Sequence, residues 1–305
     1  MGKMIGFQNE LIDLYHGELK TDYDIKRLTT WKIGGICKYV AFPDNESDLL
    51  IILKLLKKYN VKYYIIGKAS NILFGDQYFS GMVIYLGKNF TRYDIKTEND
   101  IGIIKVLSGQ SLNKIGKIAK ENSLSGMEYL SFIPGSVGGA LITNAEAHKK
   151  SIGDLVVEVK IVDNGEVKVI TKEQCGFKYR SSIFEKNDFV IIEVTLQLKR
   201  DQQEDIDKRY EEAKLFRIEK QPKMPSAGSV FKNPDIGPAG LLIDQAGLKG
   251  LKVGGAVISM VHGNFILNEE LATSADVIQL INIIRNKIND YYSVNLELEI
   301  KIFNN

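Results

Sequence analysis

Cysteine is scarce: Cys37 and Cys175 are the only two. They cannot form a disulfide framework or supply a structural zinc site, and neither belongs to a CxxC pair, a usage that fits a reducing compartment. Long apolar runs are also missing. No window approaches the ~18 apolar residues of a membrane span, and the N-terminal MGKMIGFQNE lacks the apolar centre of a signal peptide. The expectation is a cytoplasmic protein. An excess of either charge is absent too, with 40 Lys+Arg against 38 Asp+Glu and a net charge of +2. No bulk field draws the chain to nucleic acid or to an anionic membrane, so an anionic ligand must be held locally. Nothing in the sequence demands an obligatory protein partner. His16, His148 and His262 are the only histidines, they are scattered, and HExxH does not occur, which argues against a metal centre. The common nucleotide fingerprints fail as well. No two of the 27 glycines are separated by a single residue, which removes the Rossmann GxGxxG, and GxxxxGK[ST] is absent.

What is present is an ordinary globular composition, 44% hydrophobic and 26% charged over 305 residues, enough for about two domains at ~150 residues each. Ile5, Phe7, Leu11, Ile12, Leu14 and Tyr15 predict a helical lead-in over residues 1–20, packed on the body. From Ile36 the pattern reads strand (ICKYVAF), helix from Glu46 to Tyr59, strand (KYYII), a polar turn (GKASN) and strand (MVIYL). Short strands near 90–97 and 101–107 precede a helix whose apolar face is Leu112, Ile115, Ile118 and Ala119. Asn164-Gly165 between LVVEVKIVD and EVKVI predicts a tight hairpin, because both turn residues need positive φ. An alternating strand at 189–199, a charged helix from about Gln202 to Glu219, a helix opened by Thr273-x-x-Asp276 and a final strand VNLELEIKIF complete the reading. Mixed elements on short strands predict an α+β fold, with a domain boundary near residue 200.

Three small-residue loops lie where backbone amides can face an anion: Gly34-Gly35, the stretch 67–71 with Ser70 and Asn71, and 134–139 before a helix start. Each alone also reads as a plain turn; three within the first 140 residues favour a dinucleotide. PSAGSVFKNP (225–234) sets Ser229 beside glycine, followed by Lys232 and Asn233. This is not the GxSxG elbow, and no histidine motif accompanies it, so Ser229 reads poorly as a hydrolase nucleophile. A serine hydroxyl can still donate a proton to a strongly basic centre such as a developing carbanion, and Lys220 and Lys232 suit anionic substrate groups. A polar β-turn explains the same residue types. Arg180, between Tyr179 and two serines, fits a carboxylate grip or an ordinary surface position. Glu297 and Glu299 share one face of the predicted last strand, and spacing does not say which of them matters.

Seven blocks, TTWKIGG (29–35), IIGKASNILFGD (65–76), GMEYLSFIPGSVGGALITNA (126–145), YRSSIF (179–184), PSAGSVFKNP (225–234), AGLLIDQAGLKGLKVGGAVIS (239–259) and LELEIKIF (296–303), together resemble the UDP-N-acetylenolpyruvoylglucosamine reductase (MurB) family. The modest length resembles its shorter type, without an inserted substrate lid. The resemblance implies a two-lobed FAD-binding domain of the vanillyl-alcohol-oxidase / p-cresol methylhydroxylase type over 21–200 and a C-terminal α+β substrate-binding domain over 201–305. It implies FAD and NADPH as cofactors and a nucleotide-sugar substrate, in the synthesis of a peptidoglycan precursor. By motif match it implies Ser229 as proton donor, with Arg180 and Glu299 acting on the enolpyruvyl carboxylate. Flavin contacts are implied at Gly34, Gly35, Gly67, Ser70, Asn71, Ile133, Pro134, Gly135, Ser136, Gly138, Gly139 and Ala140. Substrate contacts are implied at Tyr179, Lys220, Lys232, Asn233 and His262. The alternative within the same superfamily is a flavin-dependent alcohol or sugar oxidase, for which PSAGSVFKNP would be unnecessary.

The chain departs from the resembled pattern at Ala69, Glu146 and Lys149, where glycine is frequent, and at His148, where an aromatic is common. Met260 and Val261 stand where polar or basic residues are more usual.

Overall fold

The computed structural model describes residues 2–303. Met1 of the lead-in and Asn304 and Asn305 of the C-terminal span lie outside the described residues. The chain forms two compact units, one of Met1–Thr21, Tyr39–Lys68 and Gly81–Lys214, the other of Asp22–Lys38, Ala69–Ser80 and Leu215–Asn305. The sequence reading has continuous spans. Packing departs from it because residues 22–38 and 69–80 share a core with the C-terminal third: Trp31, Ile33 and Leu73 belong to the same buried cluster as Val230, Phe231, Leu280 and Ile284.

The first unit is built on an antiparallel sheet ordered Glu166–Thr171, Val156–Asp163, Val190–Arg200, Ile101–Leu107, Tyr93–Glu98, with the short Leu124–Ser125 also paired to Val190–Arg200. Its inner face (Ile104, Val106, Val159, Val194) meets Leu112, Ile115 and Ile118 of the helix Leu112–Glu121. Asn164 and Gly165 both take positive φ (52° and 94°), as the hairpin requires. A second cluster packs Leu49, Ile52, Leu55 and Leu56 of the helix Glu46–Tyr59 against Met82 and Ile84. That helix begins where the Asn45 side chain accepts the Asp48 N–H and ends at Asn60 in the left-handed conformation (φ 53°), two local devices that fix its length. The lead-in helix runs Gly2–Leu14 and buries Phe7 and Leu11, with Tyr15 just beyond its end; Ile5, Ile12 and Leu14 are exposed.

In the second unit the helices Ala239–Gln245 and Ser274–Tyr292 share a core with the antiparallel strands Lys252–Val253, Ala256–Ile258 and Ile266–Asn268. Thr273 and Asp276 form the full capping box. The predicted final strand VNLELEIKIF is a correction: only Lys301–Phe303 is a strand, with an isolated bridge at Leu298 to Phe231. It pairs in parallel with Ile72–Phe74. Such a non-local, parallel pairing has no turn signal to announce it.

Both thiols are buried. Burial, then the charge of Glu173, pushes Cys175 up to about 11, which keeps it a protonated core residue. No helix among the described residues is long and apolar enough to cross a membrane.

Candidate active site

In the first unit, glycine permits several loops to approach closely, against backbone or serine atoms. A Cβ on Gly67 would lie 1.9 Å from Ser136 Oγ, one on Gly87 2.7 Å from the Gly67 carbonyl oxygen, one on Gly109 1.9 Å from the Leu86 oxygen and one on Gly138 2.7 Å from Ser108 Cβ. Gly67, Ser136 and Gly138 belong to the sequence-predicted set; Gly87 and Gly109 do not. The signal for both was their place just after a strand or its closing turn. The amides of the 133–140 loop divide into two groups. Val137, Gly138 and Gly139 donate to Gln110 O, Ser108 O and Ser136 Oγ, Ala140 donates to Ser136 O, and Ile133 donates to Leu130 O. Gly135 and Ser136 N–H meet no acceptor among the described residues. A cradle closed to any Cβ, with two adjacent amides that no described acceptor takes up, fits the phosphate portion of a dinucleotide.

The segment preceding this loop is held from three sides. Arg209 bonds the buried Glu128 (2.9 Å), Asp201 (2.6 Å) and Ser125 (3.1 Å), and its guanidinium holds the Asp201 carboxyl below the usual range. Tyr210 meets Phe132 edge-on at 4.7 Å, and His148 stacks on Tyr129 at 4.4 Å. His148 thus does the work of the aromatic common at its position. His148 and Lys149 are the turn of a small hairpin and both have positive φ (51° and 60°). Ala69 does too (47°). Glycine at 69 and 149 is therefore the unstrained choice, whereas Glu146 lies in a strand with no such demand.

Tyr179 and Arg180 form a two-residue turn closed by Lys178 N–H to Ser181 O (2.9 Å) and Ser181 N–H to Lys178 O (3.2 Å). Arg180 sits at φ 50°, half-buried, a backbone state rare for a side chain of this size and frequent at functional positions. The buried Ser182 hydroxyl donates to Ile142 O and Asn144 Nδ2 donates to Lys178 O, so the turn is tied to the helix Val137–Ile142 and the residues just after it. Tyr179 is exposed.

The second unit gathers Gly34, Gly35, Ser70, Asn71, Lys220, Ser229, Lys232, Asn233, His262 and Glu299. Gly35 is forced to be glycine by the Asp76 oxygen, 2.4 Å from where its Cβ would stand. A cavity of about 300 Å³ is lined by Ser229, Asn233, Asp244, Lys249, His262 and Asn264, with Leu241 and Val261 at its apolar side. The loop enters it from a fixed root: Val230 and Phe231 are fully buried, Val230 N–H donates to Asn264 O and Phe231 N–H to Asn264 Oδ1. Glu299 N–H donates to Val230 O (2.8 Å), and its carbonyl accepts from Asn71 Nδ2 (3.0 Å). Its neighbour Glu297 is 79% exposed and pairs with Lys232 at 3.7 Å. Both glutamates join the Ser229 loop through the backbone, Glu297 by accepting Lys232 N–H (2.9 Å), but Glu299 is the one also tied to Asn71. Lys220 is exposed at the end of the helix Gln203–Lys220, and Asn233 Oδ1 caps Ala239 N–H. Three residues escaped the sequence reading. Asn264 is the buried amide just described. Lys249 pairs with Asp244 at 2.5 Å on the cavity wall. Arg217 is pushed down to about 10 by burial.

His262 Nδ1 accepts the Asn264 N–H (3.2 Å), which leaves the proton of the neutral ring on Nε2. Burial first, and the Lys249 charge second, hold its pKa below the ordinary value. The folded chain therefore takes up this proton less readily than the unfolded chain; the associated stability is complete above about 6.5 and is lost as pH falls through the folded value. An NMR titration is expected to show a His262 midpoint below 6.5, moving upward in Lys249→Met but remaining below 6.5 because the larger cause, burial, persists.

Residues 37–171 match the FAD binding domain family. An alkyldihydroxyacetonephosphate synthase structure shares the fold alone, at TM-score 0.52 and 18% identity over 64% of this chain and 40% of that one. The class is thus an α+β protein with an FAD-binding domain, carrying a second, C-terminal domain. Residues 220–303 match the C-terminal domain of UDP-N-acetylenolpyruvoylglucosamine reductase. The enzyme of that name from Halalkalibacterium halodurans is 36% identical over 288 residues, 94% of each chain. The crystal structure of the reductase (MurB) from Thermus caldophilus aligns at TM-score 0.79 and 33% identity over 95% of this chain and 99% of that chain. The chain belongs to the UDP-N-acetylenolpyruvoylglucosamine reductase family, as the seven sequence blocks imply.

Proposed function

We propose that the chain adds a hydride and a proton across the C2=C3 bond of the enolpyruvyl group of UDP-N-acetylglucosamine enolpyruvate, giving UDP-N-acetylmuramate, with NADPH as reductant, in the cytoplasm. Bound FAD supplies the hydride relay from NADPH to C3. Gly67, Gly135 and Ser136, with the rest of 133–140, hold its phosphates, and Gly34, Gly35, Ser70 and Asn71 complete its contacts. Ser229 gives its proton to C2. Arg180 grips the enolpyruvyl carboxylate, and Glu299 steadies the enol-like charge. Tyr179, Lys220, Lys232, Asn233 and His262 receive the rest of the nucleotide sugar.

One observation carries this reading: Ser229 lies on a cavity whose only histidine, His262, has Nδ1 already engaged by the Asn264 amide. The histidine is not poised as the base that would make the hydroxyl a nucleophile, yet a hydroxyl is sufficient to protonate a carbanion-like carbon. The test is an anaerobic visible titration of the FAD-loaded chain. Flavin absorbance is expected to bleach with NADPH and to return on adding the enolpyruvyl nucleotide sugar. Bleaching by a simple alcohol followed by return with air, and no return with this substrate, would favour the oxidase alternative.

A further inference from the structure

We infer that Asn264 is a positioning residue for the proton donor Ser229, an inference that rests on the reading just given. Asn264 is 3% exposed and all of its polar groups are engaged in the loop that carries Ser229 or beside it. Its Nδ2 donates to Phe231 O (2.8 Å) and its Oδ1 accepts Phe231 N–H (2.9 Å), a paired clamp of the kind a strand neighbour makes. Its carbonyl accepts Val230 N–H (2.9 Å). Its own N–H donates to His262 Nδ1 (3.2 Å). One buried amide thus fixes the two residues that follow Ser229 and the tautomer of the imidazole across the same cavity.

The clamp matters because it ties the two residues directly after Ser229. On the other side Gly228 has φ 76° and open space around its Cβ position, and the next anchors are the buried Ala227 and the Ser226 carbonyl, which accepts the Thr30 hydroxyl (2.8 Å). The Val230–Phe231 root is therefore the hydrogen-bonded support adjacent to the hydroxyl-bearing residue. On the far side of that root, Glu299 N–H donates to Val230 O, so the same two residues also register Glu299 against Ser229.

Asn264→Asp keeps the Oδ acceptor for Phe231 N–H and removes the donor to Phe231 O; Asn264→Ala removes both. In the FAD-loaded chain each variant is expected to be reduced by NADPH at the parent rate and to be reoxidised by the enolpyruvyl substrate roughly 10- to 100-fold more slowly, the scale of a small misplacement of a reacting group. Backbone amides 229–231 are expected to exchange hydrogen faster in both variants, a readout independent of turnover. In a Ser229→Ala background neither substitution is expected to slow reoxidation further, because the clamp acts through the hydroxyl. Reoxidation within about 3-fold of the parent, equal slowing of both half-reactions, or further slowing on Ser229→Ala would each overturn the assignment. If Ser229→Ala alone is silent, the proton-donor reading falls and takes this one with it. A normal Ser229→Ala effect beside silent Asn264 variants removes only this one. Asn264→Asp preserves side-chain volume, so the comparison survives if Asn264→Ala does not fold.

Discussion

Ser229→Ala is expected to leave reduction of the flavin by NADPH unchanged and to slow its reoxidation by the enolpyruvyl substrate by about 10²- to 10⁴-fold, the usual contribution of a positioned general acid. The two half-reactions separate the role of the residue from its place in the fold. Hydride arrival needs no proton from the substrate cavity, so reduction has no use for Ser229. Saturation of the substrate's C2 does need one, and Ser229 is the hydroxyl on the cavity wall nearest in sequence to the clamped root Val230–Phe231. Removing one oxygen from a half-buried side chain beside the open space at Gly228 leaves no large void, so the melting temperature is expected to stay near that of the parent. Stopped-flow absorbance at the flavin band, run once with NADPH and once with substrate on the pre-reduced chain, measures both. Equal loss in both halves would remove the proton-donor role. Ser229→Cys, whose thiol is a stronger acid, is expected to recover part of the rate, which a purely structural serine would not predict.

The sequence made some of this legible and hid the rest for identifiable reasons. Local devices were readable because the residues that make them are adjacent: Asn164-Gly165 for the hairpin, Thr273 and Asp276 for the capping box, Leu112, Ile115 and Ile118 for a helix face. The pairing of Lys301–Phe303 with Ile72–Phe74 was not, since nothing in either segment names a partner some 230 residues away. The alternation of LELEIKIF was correctly apolar on one side, with Leu296 and Ile300 buried, yet its first half is extended chain held by a single bridge at Leu298 and not a strand. The same non-locality explains why Glu297 and Glu299 looked equivalent. Both bond to the Ser229 loop; the bond from Asn71 to Glu299 and the exposure of Glu297 separate them, and these depend on distant stretches of chain. Asn264 was invisible for a related reason: an asparagine two residues after a histidine reads as a turn until its partners at 230 and 231 are known. Departures proved more interpretable than expected. Ala69 and Lys149 are strained where glycine would not be, and His148 supplies a ring where a ring is wanted.

Gly67→Ala is expected to weaken FAD binding by roughly 10- to 100-fold, the affinity equivalent of the 1–3 kcal/mol cost of forcing an atom into close-packed space. The added Cβ would stand 1.9 Å from Ser136 Oγ and 2.8 Å from Ser136 Cβ, so one loop must retreat from the other. Gly67 cannot yield freely, because Gly87 already packs against its carbonyl oxygen. Ser136 cannot yield freely either. Its Oγ accepts the Gly139 N–H and its flanking residues bond to the 110–112 turn, so displacement would carry the Gly135 and Ser136 amides out of register with each other and with the cradle. The conflict is steric and has a specific remedy. Gly67→Ala/Ser136→Gly removes both offending atoms and is expected to regain most of the lost affinity, short of the roughly 0.3 kcal/mol by which a serine cap exceeds a glycine one. Quenching of FAD fluorescence on titration with the apoprotein measures each variant. Unchanged affinity in Gly67→Ala would show that the contact between these loops has no part in holding the cofactor, and the flavin assignment of residues 133–140 would fall with it. Recovery in the double variant, with the melting temperature of Gly67→Ala near that of the parent, would tie the cofactor to this one contact.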